Sequence, residues 1–115
     1  MANVNAICDK IDKLGKKQKL SALLKYAEDN EEVVRVAVAK ALGQINSYES
    51  GMALIPLLRD VSPLVRAAAA TSAADINAKH CEEYVKKLAF ADSDSVVRAT
   101  AKEAFDRLKT SVFTQ

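Results

Sequence analysis

Hydrophobic positions recur along this chain with a period of about thirty residues. The stretches "DNEEVVRVAVA", "DVSPLVRAAAA" and "DSDSVVRATAK" each place an acid six residues before an arginine. The three arginines are Arg35, Arg66 and Arg98, which stand 31 and 32 residues apart. Self-similarity at this period indicates an array of stacked units, none of which can bury its apolar side alone.

Each repeat predicts an amphipathic helix around its arginine. Counted from the arginine, positions −1, +3, +7 and +10 are apolar in every repeat, and this spacing places them on one helical face. These positions hold Val34, Val38, Leu42 and Ile45, then Val65, Ala69, Ala73 and Ile76, and finally Val97, Ala101, Phe105 and Leu108. We predict N-caps at Ser62, which precedes Pro63, and at Asp94, with Asn30 as a weaker cap in the first repeat.

A second helix is predicted before each of these helices. Its expected core residues are Leu20, Leu23, Leu24 and Ala27, then Met52, Ile55, Leu57 and Leu58, and finally Cys81, Tyr84, Val85, Leu88 and Phe90. Only a few polar residues separate the two helices of a unit, so the pair must fold back as an antiparallel hairpin. Ser47 is the expected cap of the middle helix, and Pro56 predicts a kink near Met52 because proline has no backbone donor.

The first residues continue the pattern. Val4 stands 31 positions before Arg35, and the apolar offsets then fall on Ile7, Ile11 and Leu14, followed by Gly15 as the expected C-cap. The sequence therefore predicts a single domain over residues 1–115, with a leading half-repeat at 3–15 and repeats at 18–46, 47–77 and 78–111. At the far end Val112 and Phe113 have no following unit to cover them, which leaves open a homodimer through that end.

Composition supports an all-helical array. Half of the residues are hydrophobic, but only 5% are aromatic and Trp is absent, so alanine and branched aliphatic residues carry the apolar content. That mixture suits close-packed helices, and five Gly and Pro residues are too few for the turns of an all-β fold. The chain has no apolar run long enough to span a membrane and no apolar stretch typical of a secretory signal at its start, so we expect a cytoplasmic protein.

The motif D-x-[SDE]-[PSE]-x-V-R, with its alanine-rich helix and a preceding leucine-rich helix, resembles the HEAT repeat, most closely the short bacterial and archaeal form. The resemblance runs from Val4 to Leu108, although Pro56 departs from the usual place of the kinking proline. It implies an all-α, right-handed α-solenoid of about three and a half helical hairpins with seven helices. It also implies that the acids of the turns meet the arginines in a structural ladder: Asp29, Arg35, Asp60, Arg66, Asp92 and Arg98.

The same resemblance places positions +1, +5, +8 and +9 on the inner, concave surface, where a protein or peptide partner would bind. The candidate partner-binding residues are Asp9, Asp12, Lys13, Lys40, Gln44, Thr71, Asp75, Glu103, Asp106 and Arg107. Five acids against three bases make this set slightly acidic, which favours a basic or amphipathic peptide. Two alternatives stay open: ordinary solvated helix positions, and an accessory subunit of an enzyme complex, like the HEAT-like subunits of phycobilin lyases.

Other classes of function have little support in the sequence. The lysine-rich segment from Lys10 to Lys19 contains Asp12 and no aromatic residue for base stacking, which favours a solvated cap and loop. A nucleic-acid-binding HEAT-like module therefore stays open only as a third and weaker alternative. His80 is the single histidine, Cys8 and Cys81 form no spaced motif, and the three glycines form no phosphate loop. We therefore expect a protein without catalytic residues, metal or cofactor.

Overall fold

The computed structural model describes residues 3–110, which contain seven α-helices and no strand. The helices are α1 (Val4–Lys16), α2 (Leu20–Leu24), α3 (Glu32–Leu42), α4 (Tyr48–Leu58), α5 (Pro63–Asp75), α6 (Glu82–Ala91) and α7 (Ser95–Thr110), with a short 3-10 helix at Lys79–Cys81. The predicted all-α fold with seven helices is confirmed. The predicted contact through Val112 and Phe113 lies outside the described residues.

The helices form two layers. Helices α1, α3, α5 and α7 pack side by side in chain order as the inner layer, and α2, α4 and α6 pack against them from outside. Successive inner helices contact each other closely, whereas successive outer helices hardly touch. This unequal spacing is that of a helical-repeat solenoid, whose curvature follows from a small rotation between units. The right-handedness of the superhelix stays a prediction.

The core lies between the layers and is built from the predicted apolar columns. Positions −1, +3 and +10 are buried in all three repeats, and position +7 is buried in the first two. In the third repeat position +7 is Phe105, which is only partly buried because, within residues 3–110, no inner helix follows α7 to cover it. In α1, Ile11 is completely buried while Ile7 and Leu14 are partly buried. Each fully buried leucine or isoleucine contributes on the order of 2 kcal/mol of hydrophobic free energy.

Small residues set the close approach of the inner helices. The hydroxyl of Ser72 on α5 donates to the carbonyl oxygen of Ala39 on α3 at 2.6 Å. A Cβ atom on Gly15 would lie 2.9 Å from the Cβ of Ala41. The predicted C-cap at Gly15 is therefore wrong: this glycine is buried inside α1, and the chain turns at Gln18, whose φ is 60°.

Three of the predicted caps are confirmed. The hydroxyl of Ser47 accepts from the Ser50 N–H, that of Ser62 accepts from the Val65 N–H, and the carboxylate of Asp94 accepts from two N–H groups of α7. The weaker cap predicted at Asn30 is wrong, because α3 begins after Glu31, which makes no capping side-chain bond.

The outer helices bury less than the sequence predicts. Leu24, Met52, Tyr84 and Phe90 were expected in the core, but they are exposed, Phe90 by 63%. The physical reason is that α2, α4 and α6 are spread apart, so side chains that point along the array find no neighbouring helix. Helix α4 continues through Pro56, and the predicted kink stays a prediction.

Candidate functional site

A groove of about 500 Å³ crosses the inner layer between α3 and α5 and reaches α7. Its lining is mainly small and apolar, with charged side chains at the margins. The residues that line it include Glu32, Val33, Val36, Lys40, Leu64, Ala67, Ala68, Thr71, Asp75 and Thr100. A broad, shallow depression with this lining offers contact area for a peptide rather than enclosure for a small molecule.

The groove owes its apolar rim to a column that the sequence prediction missed. Position −2 from the arginine holds Val33, Leu64 and Val96, and all three are more than half exposed. The column lies beside the buried −1 column, so it falls just outside the face that packs on the outer helices. The sequence did contain a signal for this column. Position −2 is apolar in every repeat, although a position exposed to solvent has no need of an apolar residue.

Of the ten predicted partner-binding residues, the structure brings three into the groove: Lys40, Thr71 and Asp75. Gln44 lies in the turn just after α3, where its amide donates to the carboxylate of Asp12 on α1 at 3.4 Å. The other predicted residues lie on the flanking helices, outside the groove lining. These residues are Asp9 and Lys13 on α1, and Glu103, Asp106 and Arg107 on α7.

Several predicted residues are already engaged with neighbours. Asp75 pairs with Arg107 across α5 and α7 at 2.8 Å. Asp12 pairs with Lys16 at 2.9 Å, and this lysine lowers the pKa of the Asp12 carboxyl. Asp106 lies 3.4 Å from the ammonium group of Lys109. Counting the two additional lysines gives five acids against five bases, so the acidic excess predicted for the inner face is cancelled.

The arginines form a ladder that links neighbouring units. Arg35 binds the carboxylate of Asp60 through Nε and Nη2, at 2.9 and 3.0 Å, and Arg66 binds Asp92 in the same way, at 2.8 and 3.0 Å. In both cases the carboxylate belongs to the turn of the following unit. Nη1 instead donates to the acid of the arginine's own turn, through the carbonyl oxygen of Asp29 for Arg35 and of Asp60 for Arg66. Each Arg–Asp pair is one rung of the ladder, and it links two neighbouring units.

The acids also organise their own turns. The carboxylate of Asp29 accepts from the Glu31 N–H, that of Asp60 from the Ser62 N–H and that of Asp92 from the Asp94 N–H. Among residues 3–110 the Asp29 carboxylate has no arginine partner, because the equivalent of the preceding arginine is Val4. Of the six residues that the sequence assigned to the ladder, four form its rungs: Arg35 with Asp60 and Arg66 with Asp92, each arginine binding the acid one unit later. Within residues 3–110 the Asp29 carboxylate and the Arg98 guanidinium are not part of a rung, so the ladder is shorter than predicted.

The family model of the HEAT repeat matches residues 20–48, the segment that contains α2, α3 and the turn between them. The chain contains a HEAT repeat. The hairpins α4–α5 and α6–α7 repeat the geometry of the matched segment, with the same arginine column and the same buried columns. No curated protein matches the chain. HEAT repeats generally mediate protein–protein interaction, and HEAT-repeat proteins are typically non-enzymatic scaffolds.

The rungs of this HEAT array are shielded from solvent. The side chains of Arg35 and Asp60 are 13% and 11% exposed, and those of Arg66 and Asp92 are 14% and 5% exposed. Burial opposes ionisation of Asp60, but the Arg35 guanidinium and the Ser62 N–H outweigh it, so the pKa of Asp60 lies below its ordinary value of 3.8. The Arg66 guanidinium lowers the pKa of Asp92 despite burial. Both carboxylates are therefore ionised at neutral pH, and each guanidinium donates four hydrogen bonds to acceptors within the chain.

We expect these two rungs to make the fold sensitive to acid. Because the folded pKa of each aspartate lies below 3.8, the stabilisation is complete above that value and is lost as the pH falls through the folded pKa. The thermal midpoint of the wild-type protein should fall steeply below about pH 4. Circular dichroism melts from pH 7 to pH 2.5 will measure it.

The control for the acid sensitivity is the double variant Asp60→Asn/Asp92→Asn, which should melt lower at pH 7 and lose less on acidification. Asp12→Asn removes an exposed carboxylate and should follow the wild type. Parallel pH curves for the wild type and the double variant would contradict a role for the rungs.

The described part of this protein carries few side chains suited to catalysis. Burial raises the pKa of the Cys81 thiol to about 11, and its Sγ–H donates to the carbonyl oxygen of Gly51 at 3.2 Å, so it is not a nucleophile at neutral pH. The ring of His80 stacks on Tyr48 with centroids 4.3 Å apart. Residues 3–110 contain no group of three His, Cys, Asp or Glu side chains arranged to hold a metal ion. None of the described helices combines the length and apolarity needed to cross a bilayer.

Proposed function

We propose that this HEAT-repeat protein is a binding module that holds a peptide segment of a partner protein in the groove across α3, α5 and α7. The observation that carries the proposal is the recurrent exposed apolar column beside a floor of small side chains. Val33 of α3 and Leu64 of α5 line the groove together with Ala67 and Ala68, so apolar side chains of a partner have apolar surface from both helices to pack against. Exposed apolar surface that repeats at the period of the fold is typical of an interaction face.

The charges of the groove suggest the partner's character. Lys40 makes no salt bridge within residues 3–110, whereas Asp75 at the same margin is neutralised by Arg107. The hydroxyl of Ser62 hydrogen-bonds the carboxylate of Glu32 at the opposite margin. A segment with an apolar stripe and an acidic residue near Lys40 would fit, which replaces the basic peptide expected from the count of acids alone.

The decisive experiment places a long charged side chain on the floor of the groove. Thr71→Arg fills the groove from an exposed position of α5, and Ser21→Arg makes the matched change on α2 in the outer layer. Tagged wild-type and variant proteins are used to capture cross-linked partners from native lysate, and the affinity of the purified partner is then measured by calorimetry. We expect at least about tenfold weaker binding, or about 1.4 kcal/mol, for Thr71→Arg alone.

The outcome that would overturn the proposal is equal affinity of wild type and Thr71→Arg for every partner that cross-links specifically. A partner lost by Ser21→Arg and kept by Thr71→Arg would place binding on the outer layer instead. Circular dichroism of both variants checks that the helices are intact. We expect no loss of helix, because both positions are exposed and neither side chain belongs to the core.

A further inference from the structure

We propose that the end of the array also binds a partner, through a surface distinct from the groove, and that the ligand is an acidic peptide segment. We call this surface the end face. Its residues are Lys86 and Phe90 on α6, and Arg98, Lys102, Phe105 and Lys109 on α7. The proposal depends on three independent features: the geometry of Arg98, the charge of the exposed side of α7, and the way lysines cover the aromatic rings.

Arg98 is anchored to its own turn like the two ladder arginines, but within residues 3–110 it binds no carboxylate. Its Nη1 donates to the carbonyl oxygen of Asp92 at 2.7 Å, the same bond that orients Arg35 and Arg66 in their turns. In those two arginines Nε and Nη2 hold a carboxylate bidentately, but no carboxylate of residues 3–110 takes this position on Arg98. The guanidinium is therefore oriented and exposed where two equivalents in the same chain bind a carboxylate.

The exposed side of α7 differs from the equivalent side of the earlier inner helices. Four residues after the arginine, α3 and α5 carry Ala39 and Ala70, both completely buried. Helix α7 carries the exposed Lys102 at this position. Another helix packed here would have to bury that ammonium group, which is costly without a partner. The end face is therefore suited to a charged ligand rather than to one more repeat.

The charged and aromatic residues of α7 form one continuous stripe. Arg98, Lys102, Phe105 and Lys109 follow at spacings of four, three and four, which places them along a single helical face. Lys86 of the neighbouring α6 adds a fourth cation. Among residues 3–110, the one salt bridge to these four cations joins Asp106 to Lys109 at 3.4 Å. The excess of positive charge is complementary to an acidic segment.

The aromatic rings favour a peptide over a nucleic acid. Phe90 and Phe105 meet edge to face with centroids 6.3 Å apart. The ammonium group of Lys102 lies 5.6 Å from the Phe90 centroid, and those of Lys86 and Lys109 lie 6.0 and 5.5 Å from the Phe105 centroid. Because an ammonium group already lies beside each ring, less of the ring surface is open to a stacked base. The exposed remainder of Phe90 offers contact for an apolar side chain of the acidic peptide.

The test uses a fluorescently labelled 12-residue peptide in which Asp and Glu alternate with Leu and Phe, and the full-length protein at about 0.15 M salt. We expect Arg98→Gln to weaken the peptide's affinity about tenfold, as the loss of one bidentate charged contact implies. Arg59→Gln is the matched control, since Arg59 is an exposed arginine at the end of α4, and it should change the affinity less than twofold. Thr71→Arg, which blocks the groove, should leave this binding unchanged.

Nuclear magnetic resonance localises the contact: the side-chain Nε–H resonance of Arg98 should shift on titration, while that of Arg66 should not. The proposal is overturned if the peptide does not bind, or if Arg98→Gln and Arg59→Gln weaken it equally. It is also overturned if a 12-nucleotide oligothymidine binds more tightly than the acidic peptide and shifts the same resonance. None of these results tests the groove proposal, which has its own experiment with Thr71→Arg and Ser21→Arg.

Discussion

Replacing Arg66 with alanine is expected to lower the free energy of unfolding by about 3 kcal/mol. The change removes the guanidinium that holds Asp92, and this side chain is 5% exposed, so its charge would lose its bidentate counter-charge while staying shielded from solvent. The equivalent change Arg98→Ala should lower stability by less than about 1 kcal/mol, because exposed arginines contribute little. Urea titrations followed by circular dichroism give both values.

The comparison of these two arginines is a control supplied by the repeat itself. Both occupy the same position of their units, and both are anchored to a carbonyl oxygen of their own turn. Only Arg66 reaches a carboxylate in a following unit. Equal destabilisation by the two changes would contradict the staggered ladder and point to the turn anchor alone. A cycle with Asp92→Ala should give a coupling energy for Arg66, which isolates the rung from the anchor.

Replacing Leu42 with alanine should have the other large effect, a loss of about 3–4 kcal/mol of unfolding free energy. Leu42 is fully buried at the centre of the array, and neighbouring helices cannot close over the resulting cavity. The matched change Leu64→Ala removes the same atoms from a side chain that is 61% exposed. It should alter stability by less than about 1 kcal/mol.

These two leucines also separate stability from binding. If the groove holds a peptide, Leu64→Ala should weaken partner binding while leaving the denaturation midpoint almost unchanged. Leu42→Ala should do the reverse under conditions in which the protein is still folded. A large stability loss from Leu64→Ala would mean that the −2 column belongs to the core after all.

The sequence predicted the inner layer well because that layer is where the repeat is strictest. Val34, Val65 and Val97 are buried in equivalent surroundings, as their common position in the period indicated. The caps at Ser62 and Asp94 were equally predictable, since a short polar side chain before an apolar helix has one common local role.

Other features could not be predicted because they depend on distances between units. Arg35 has one aspartate six residues before it and another 25 residues after it, and the period alone does not say which one it binds. The answer depends on how far one turn lies from the next in the stack. Gly15 likewise has the sequence context of a C-cap, and only the approach of Ala41 shows why a side chain is excluded there.

The outer helices illustrate a different limit. Leu23 and Leu24 are adjacent and equally apolar, yet the first is buried and the second is 42% exposed. Helix α2 has only five residues, too few for a periodic pattern to distinguish two neighbouring faces. The sequence predicted the groove residues only in part for a related reason. A sequence alone does not distinguish an exposed valine from a buried one.

The staggered rungs have a consequence for how such a chain can change its length over generations. A duplicated segment running from one turn aspartate to the next carries an acid for the arginine that precedes the segment and an arginine for the acid that follows it. Copies of residues 60–91 inserted after Ala91 would therefore arrive with their electrostatic links already matched on both sides. Genetic duplications of one whole period can be accepted without any compensating substitution, whereas insertions of half a period inside the array would leave a guanidinium facing the wrong turn.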